Sequence, residues 1–92
     1  MDELYQAEWC PHSRRVRQRL TELGVSFIAR QVPADPGDRE ELRRKTGSDE
    51  IPALVLEDGT VVRESAEDII AHLDSRYSER ADVEEHRDRF EG

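Results

Sequence analysis

The chain has 92 residues, 35% of them hydrophobic, and a formal net charge of −8 from 22 acidic and 14 basic residues. That length fits one small domain with a modest core. The charge disfavours nucleic acid and anionic membrane as partners, and no apolar run approaches the ~20 residues of a membrane span.

The N-terminus, Met1-Asp2-Glu3, shows neither the basic region nor the apolar stretch of a signal peptide, so a cytoplasmic location is expected. The single cysteine, Cys10, excludes an internal disulfide. Lys45 is the only lysine. A surface so rich in carboxylates and poor in lysine fits a high-salt cytoplasm, where self-repulsion is screened. It fits a GC-rich genome equally well.

Glu3 to Gln6 predicts a short strand around Leu4 and Tyr5. A helix is expected from Pro11 to about Leu23, because Val16, Leu20 and Leu23 recur at i, i+4 and i+7. Pro11 suits the first helical position, where its missing N–H costs nothing. Cys10 then falls at the helix N-cap, beside unpaired backbone amides and the positive end of the helix dipole. Such a setting favours thiolate and can lower a cysteine pKa from about 8.5 to roughly 3.5–7.5. A lone cysteine is otherwise most often a small buried hydrophobe.

Gly24 marks the helix stop, and Val25 to Val32 reads as a strand centred on Phe27 and Ile28. Pro33-Ala34-Asp35-Pro36-Gly37 breaks the chain. Asp38 to Lys45 predicts a short surface helix capped by Asp38, with Leu42 as its one apolar residue. Ile51-Pro52 precedes the apolar run Ala53-Leu54-Val55-Leu56. Asp58-Gly59 signals a two-residue hairpin, with Thr60 to Arg63 as the return strand. Ser65-Ala66-Glu67-Asp68 has the form of a capping box. The helix it opens carries a buried stripe at Ala66, Ile69, Ile70, Leu73 and Tyr77. Residues 78–92 form a highly charged tail, expected to be a frayed helix or disordered. The order β-α-β-α-β-β-α predicts an α/β domain over residues 1–77, with a four-stranded mixed sheet flanked by helices.

Three motifs carry a resemblance. Leu4-Tyr5 ahead of Cys10-Pro11-His12-Ser13, then Ile51-Pro52-Ala53-Leu54, then Glu64-Ser65 opening a helix, resemble the glutaredoxins and the N-terminal domain of glutathione S-transferases, both of thioredoxin fold. Cys-Pro-His-Ser matches the glutaredoxin pattern. Arg14-Arg15-Val16-Arg17 with Leu23-Gly24-Val25, and Glu64-Ser65, lie closer to the transferase branch. Two family features are absent: a lysine three residues before the cysteine, here Ala7, and a Gly-Gly-x-Asp stretch before the last helix.

The resemblance implies a role for each motif. Cys10 would be the nucleophile, behind Pro11. With Ser13 at the second cysteine position, the cycle would be monothiol, and Ser13 would hydrogen-bond the sulfur. Pro52 would be a cis-proline that turns the Ile51 backbone toward the cysteinyl unit of glutathione. Ser65 and the adjacent helix amides would hold the γ-glutamyl carboxylate, and Glu64 would accept from its amine. Arg14 would stabilise the thiolate and Glu8 would oppose it. His12 occupies a variable position and is not expected to be a base.

The bland alternatives are an ordinary trans proline at Pro52, a simple helix cap at Ser65 and solvated arginines at Arg14 and Arg15. His72 and His86 lack metal-ligand spacing, and no metal is expected. The implied function is glutathione-dependent reduction of mixed disulfides, with glutathione or a related low-molecular-weight thiol as cosubstrate. Glutathionylated or disulfide-bearing proteins would be the substrates, and the chain is expected to be a monomer. The alternatives are transferase-like conjugation, an iron–sulfur carrier, which a stiff Pro11 argues against, and a non-catalytic thiol-binding module.

Overall fold

The computed structural model describes residues 1–91. Strand β1 (Asp2–Gln6) leads into helix α1 (Pro11–Glu22), strand β2 (Phe27–Gln31), a 3₁₀ turn over Pro36–Asp38 and helix α2 (Glu40–Thr46). Strands β3 (Ala53–Val55) and β4 (Val61–Val62) follow, then helices α3 (Ala66–Arg76) and α4 (Val83–Glu91). The sheet order is β2-β1-β3-β4. β1 runs parallel to β2 and antiparallel to β3, with Leu4 opposite Ala29 on one side and Leu54 on the other. β3 and β4 form the antiparallel hairpin, with Leu54 opposite Val62.

β1 is central and covered on both faces, so its side chains alternate between two cores. Leu4 joins Val16 and Leu20 of α1, Leu54, and Ile69 and Leu73 of α3 in the larger cluster. Tyr5 points the other way, against Leu42 of α2 and Ala53. β2 is the opposite case. As an edge strand it leaves Ile28 38% exposed, so only Phe27 of the expected apolar pair packs against the core.

Gly24 (φ +68°) ends α1: its N–H donates to the Thr21 carbonyl, and the Val25 N–H to the Leu20 carbonyl. This paired closure needs a left-handed residue that glycine adopts without strain. Ser65 caps α3 by accepting from the Asp68 N–H at 3.0 Å.

Two expectations need correction. Asp38 does not cap α2; it lies in the 3₁₀ turn, whose cap is Asp35, accepting from the Gly37 N–H at 2.8 Å. The Pro36 ring starts that turn early, so α2 begins two residues past Asp38. Tyr77 does not extend the buried stripe, because the chain turns extended there (φ −131°, ψ 153°) and leaves the ring 36% exposed. Residues 83–91 form α4, which packs on α1. Charge holds that contact: Arg87 of α4 pairs with Glu22 of α1, and the Arg80 N–H donates to the Glu22 carbonyl at 2.9 Å. Among the described residues no helix is long and apolar enough to cross a membrane.

Candidate active site

Cys10 stands between β1 and α1 as the helix N-cap, with extended backbone (φ −82°, ψ 118°) and Pro11 as the first helical residue. It is 7% exposed. Its N–H donates to the Ala7 carbonyl at 3.1 Å, and its carbonyl accepts from the Arg14 N–H at 3.0 Å. Burial pushes the thiol up, but its polar surroundings outweigh that. The Ser13 side chain, the first-turn amides of Ser13 and His12 and the positive charge of Arg17 together hold the thiol below its ordinary value, although no cap hydrogen bond closes on the Cys10 side chain. The amides are orphan donors of the first helical turn, so the fold itself supplies them.

Ser13 is fully buried one turn below the sulfur, and its Oγ also accepts from the Ala7 N–H at 3.4 Å. The Ala7 peptide is thus gripped at both ends, which fixes the turn that carries Cys10.

The Ile51–Pro52 peptide bond is cis. Ile51, Pro52, Glu64 and Ser65 line one groove of about 200 Å³, together with His12, Glu50, Arg63 and Glu67. His12 is two residues past Cys10, so this groove abuts the first turn of α1. Glu67 pairs with Arg15, tying α3 to α1. Two pairs distant in sequence, Ile51–Pro52 and Glu64–Ser65, therefore meet in one groove that His12 joins to the first turn of α1.

Arg14 does not lie in that groove. It lines a second one of about 340 Å³ between α1 and α4, with Phe27, Thr21 and His86 among its walls. Arg17, a turn further along, contributes positive charge that favours the thiolate, and the sequence reading did not single it out. Its signal was the spacing. Arg17 is Cys10 plus seven, on the same helix face, and long helical side chains lean back toward the N-terminus. Gln6 was also missed. It is fully buried at the end of β1, and its Oε1 accepts from Arg17.

The comparisons with known proteins fit this geometry. Residues 4–81 match the family model described as glutathione S-transferase, N-terminal domain. A glutaredoxin of Pseudomonas aeruginosa is 37% identical over 51 residues, 55% of this chain and 61% of that protein. A glutathione S-transferase from Methylobacillus flagellatus, solved with glutathione bound, superposes with a TM-score of 0.70 at 26% identity, over 83% of this chain and 37% of that one. Glutaredoxin 2 from Salmonella typhimurium, in complex with glutathione, shares the fold at a TM-score of 0.71 and 20% identity, over 80% of this chain and 33% of that one. The chain thus spans under two thirds of the glutaredoxin it matches and about a third of these solved proteins. With the mixed four-stranded sheet, the cis-proline and a family model covering most of its length, the chain belongs to the glutathione S-transferase N-terminal domain family, a thioredoxin-like fold.

Proposed function

We propose that the chain is a monothiol thiol–disulfide oxidoreductase that works through Cys10 with glutathione or a related low-molecular-weight thiol. The observation that carries this reading is the setting of the sulfur: a thiol at a helix N-cap, beside the first-turn amides and the buried Ser13 and held below its ordinary value, in a chain with no second cysteine.

In the first step the Cys10 thiolate attacks the glutathione sulfur of a glutathionylated protein. A Cys10–glutathione disulfide forms, the substrate disulfide breaks, and the protein leaves as a thiolate that takes up a proton. In the second step the thiolate of free glutathione attacks the glutathione sulfur held on Cys10. Oxidised glutathione leaves and the Cys10 thiolate returns. The net exchange turns a glutathionylated protein and one glutathione into a protein thiol and oxidised glutathione. The surroundings that hold the thiol low also stabilise Cys10 as a leaving group in the second step, since a lower-pKa thiol leaves faster.

The groove offers a seat for the tripeptide. The Ile51 backbone before cis-Pro52 pairs with the cysteinyl unit, Ser65 and the α3 amides take the γ-glutamyl carboxylate, and Glu64 accepts from the amine. The chain acts as a monomer in the cytoplasm. Glutathione bound in the transferase and glutaredoxin neighbours supports this choice of thiol.

Turnover of a glutathionylated peptide by reduced glutathione tests the reading. The wild type should release oxidised glutathione at least tenfold above background, and Cys10→Ser should fall to background. Equal rates in the two proteins contradict it. Conjugation of glutathione to an electrophile is the second reading, favoured by the family match and by the apolar wall that Phe27 gives the α1–α4 groove. Thioether formation with 1-chloro-2,4-dinitrobenzene, in place of disulfide exchange, would establish that one.

A further inference from the structure

We propose that Arg17 is the positioning residue of the Cys10 turn: its guanidinium buckles the β1–α1 connection and holds a fixed positive charge toward the sulfur. The proposal rests on the reading of Cys10 as the reactive thiol and adds to it the residue that sets its reactivity.

The geometry is a fork with three tines. Arg17 Nη1 donates to Gln6 Oε1 and to the Ala7 carbonyl, the latter at 3.3 Å, while Nη2 lies 3.4 Å from Glu8 Oε2. Three consecutive residues, Gln6, Ala7 and Glu8, are thus gathered on one planar group. A guanidinium can do this and an ammonium cannot, because its donors are fixed in a plane. The Ala7 carbonyl that Arg17 holds is the one that accepts the Cys10 N–H. The Ala7 N–H donates to the Ser13 hydroxyl, on the side chain that helps hold the thiol low. Arg17 therefore acts on Cys10 both through space and through the Ala7 peptide.

Two further observations show that the contact is needed. Gln6 is fully buried, and its Nε2 has no hydrogen-bond partner among the described residues. Arg17 fixes the amide with the oxygen inward to it, and without Arg17 both ends of a buried amide would stand unpaired. Glu8 is 71% exposed at its side chain and sits two residues before the nucleophile. Its pairing with Arg17 ties up an anion that would oppose the thiolate.

The charged groups near the Cys10 turn are Arg17 and its partner Glu8, with Arg14 lining the α1–α4 groove and His12, Glu50, Arg63, Glu64 and Glu67 lining the other. Arg17 is tied to the turn by both charge and hydrogen bonds.

The test is the pH profile of Cys10 alkylation by iodoacetamide, which uses no glutathione and so stands apart from the fate of the exchange reaction. In Arg17→Gln the midpoint should rise by about one pH unit, a tenfold slower alkylation at a pH below the midpoint. Arg17→Lys should recover only part of that shift, since it restores charge without the fork. A midpoint in Arg17→Gln within about 0.2 unit of wild type overturns the proposal, as does equal behaviour of the Lys and Gln variants (precision set by the tenfold-per-unit relation). If Arg17→Gln fails to fold, the exposed Glu8→Gln decides. Removing the anion should lower the midpoint, and an unchanged or raised midpoint overturns the proposal.

Discussion

The two faces of the sheet are held by different forces. The face under α1 and α3 is mainly apolar: Leu4, Val16, Leu20, Leu54, Ile69 and Leu73 are fully buried, with Gln6 and Ser13 as buried polar residues at the Cys10 end. The face under α2 has only Tyr5, Leu42 and Ala53 as its buried cluster. What it lacks in apolar area it replaces with Arg39, 5% exposed, which donates to the carbonyls of Pro33, Ala34 and Asp49. One side chain stitches both ends of the segment that leads to Ile51–Pro52. The first face therefore fixes the fold and the seat of Cys10, while the second fixes the loop that presents the cis-proline. Hydrophobic burial is non-directional and tolerates sliding, whereas hydrogen bonds to named carbonyls set a loop in one place.

The largest effect should come from the apolar face. Leu20→Ala leaves a cavity between α1, α3 and the sheet, and should cost about 3 kcal/mol of unfolding free energy in urea titration. A loss under about 1 kcal/mol would mean that this face collapses around the gap and is not the main support. Arg39→Ala should cost less, about 2 kcal/mol, because three partly buried carbonyls lose a charged donor. Proteolysis between Pro33 and Glu50 should rise with it while the Cys10 site stays folded. If that loop stays as resistant as in wild type, the stitch is not what holds it.

The smallest effect belongs to the rim where α4 meets α1. Burial pushes the Glu22 carboxyl up, but hydrogen bonds from Arg19 and Arg87 outweigh it and hold the group below its ordinary value. A carboxylate lowered on folding adds stability above its unfolded pKa, and that stability is lost as pH falls through the folded one. The difference in stability between wild type and Glu22→Gln should therefore shrink from pH 7 to pH 3. An unchanged difference would contradict the pairing.

The apolar face was legible in the sequence because it obeys a period. Val16, Leu20 and Leu23 gave α1, and Ala66, Ile69 and Leu73 gave α3, with Pro11, Gly24 and Ser65 as punctuation. The polar supports obey no such period. Arg39 and Arg17 look like any other surface arginine in a run of charges, and only the folded chain shows which carbonyls they reach. The same holds for α4, whose docking depends on Arg87 finding Glu22 across the fold. Asp38 was named as a cap because residue type was legible, but the Pro36 turn moved the helix start beyond it. At the site, the motif spacing pointed to Cys10, Ser13, Pro52 and Ser65, while the choice between Arg14 and Arg17 depended on how a helical side chain leans.

The central claim is that Cys10 exchanges with a glutathione disulfide as a ready thiolate. Intact-mass spectrometry after brief incubation with oxidised glutathione, from pH 5 to pH 9, tests it most directly. The wild type should gain about 305 Da, one glutathione less one hydrogen, already at pH 6, and Cys10→Ser should gain nothing. An adduct that forms only above about pH 8, as for an unperturbed thiol, or that persists in Cys10→Ser, would contradict the account.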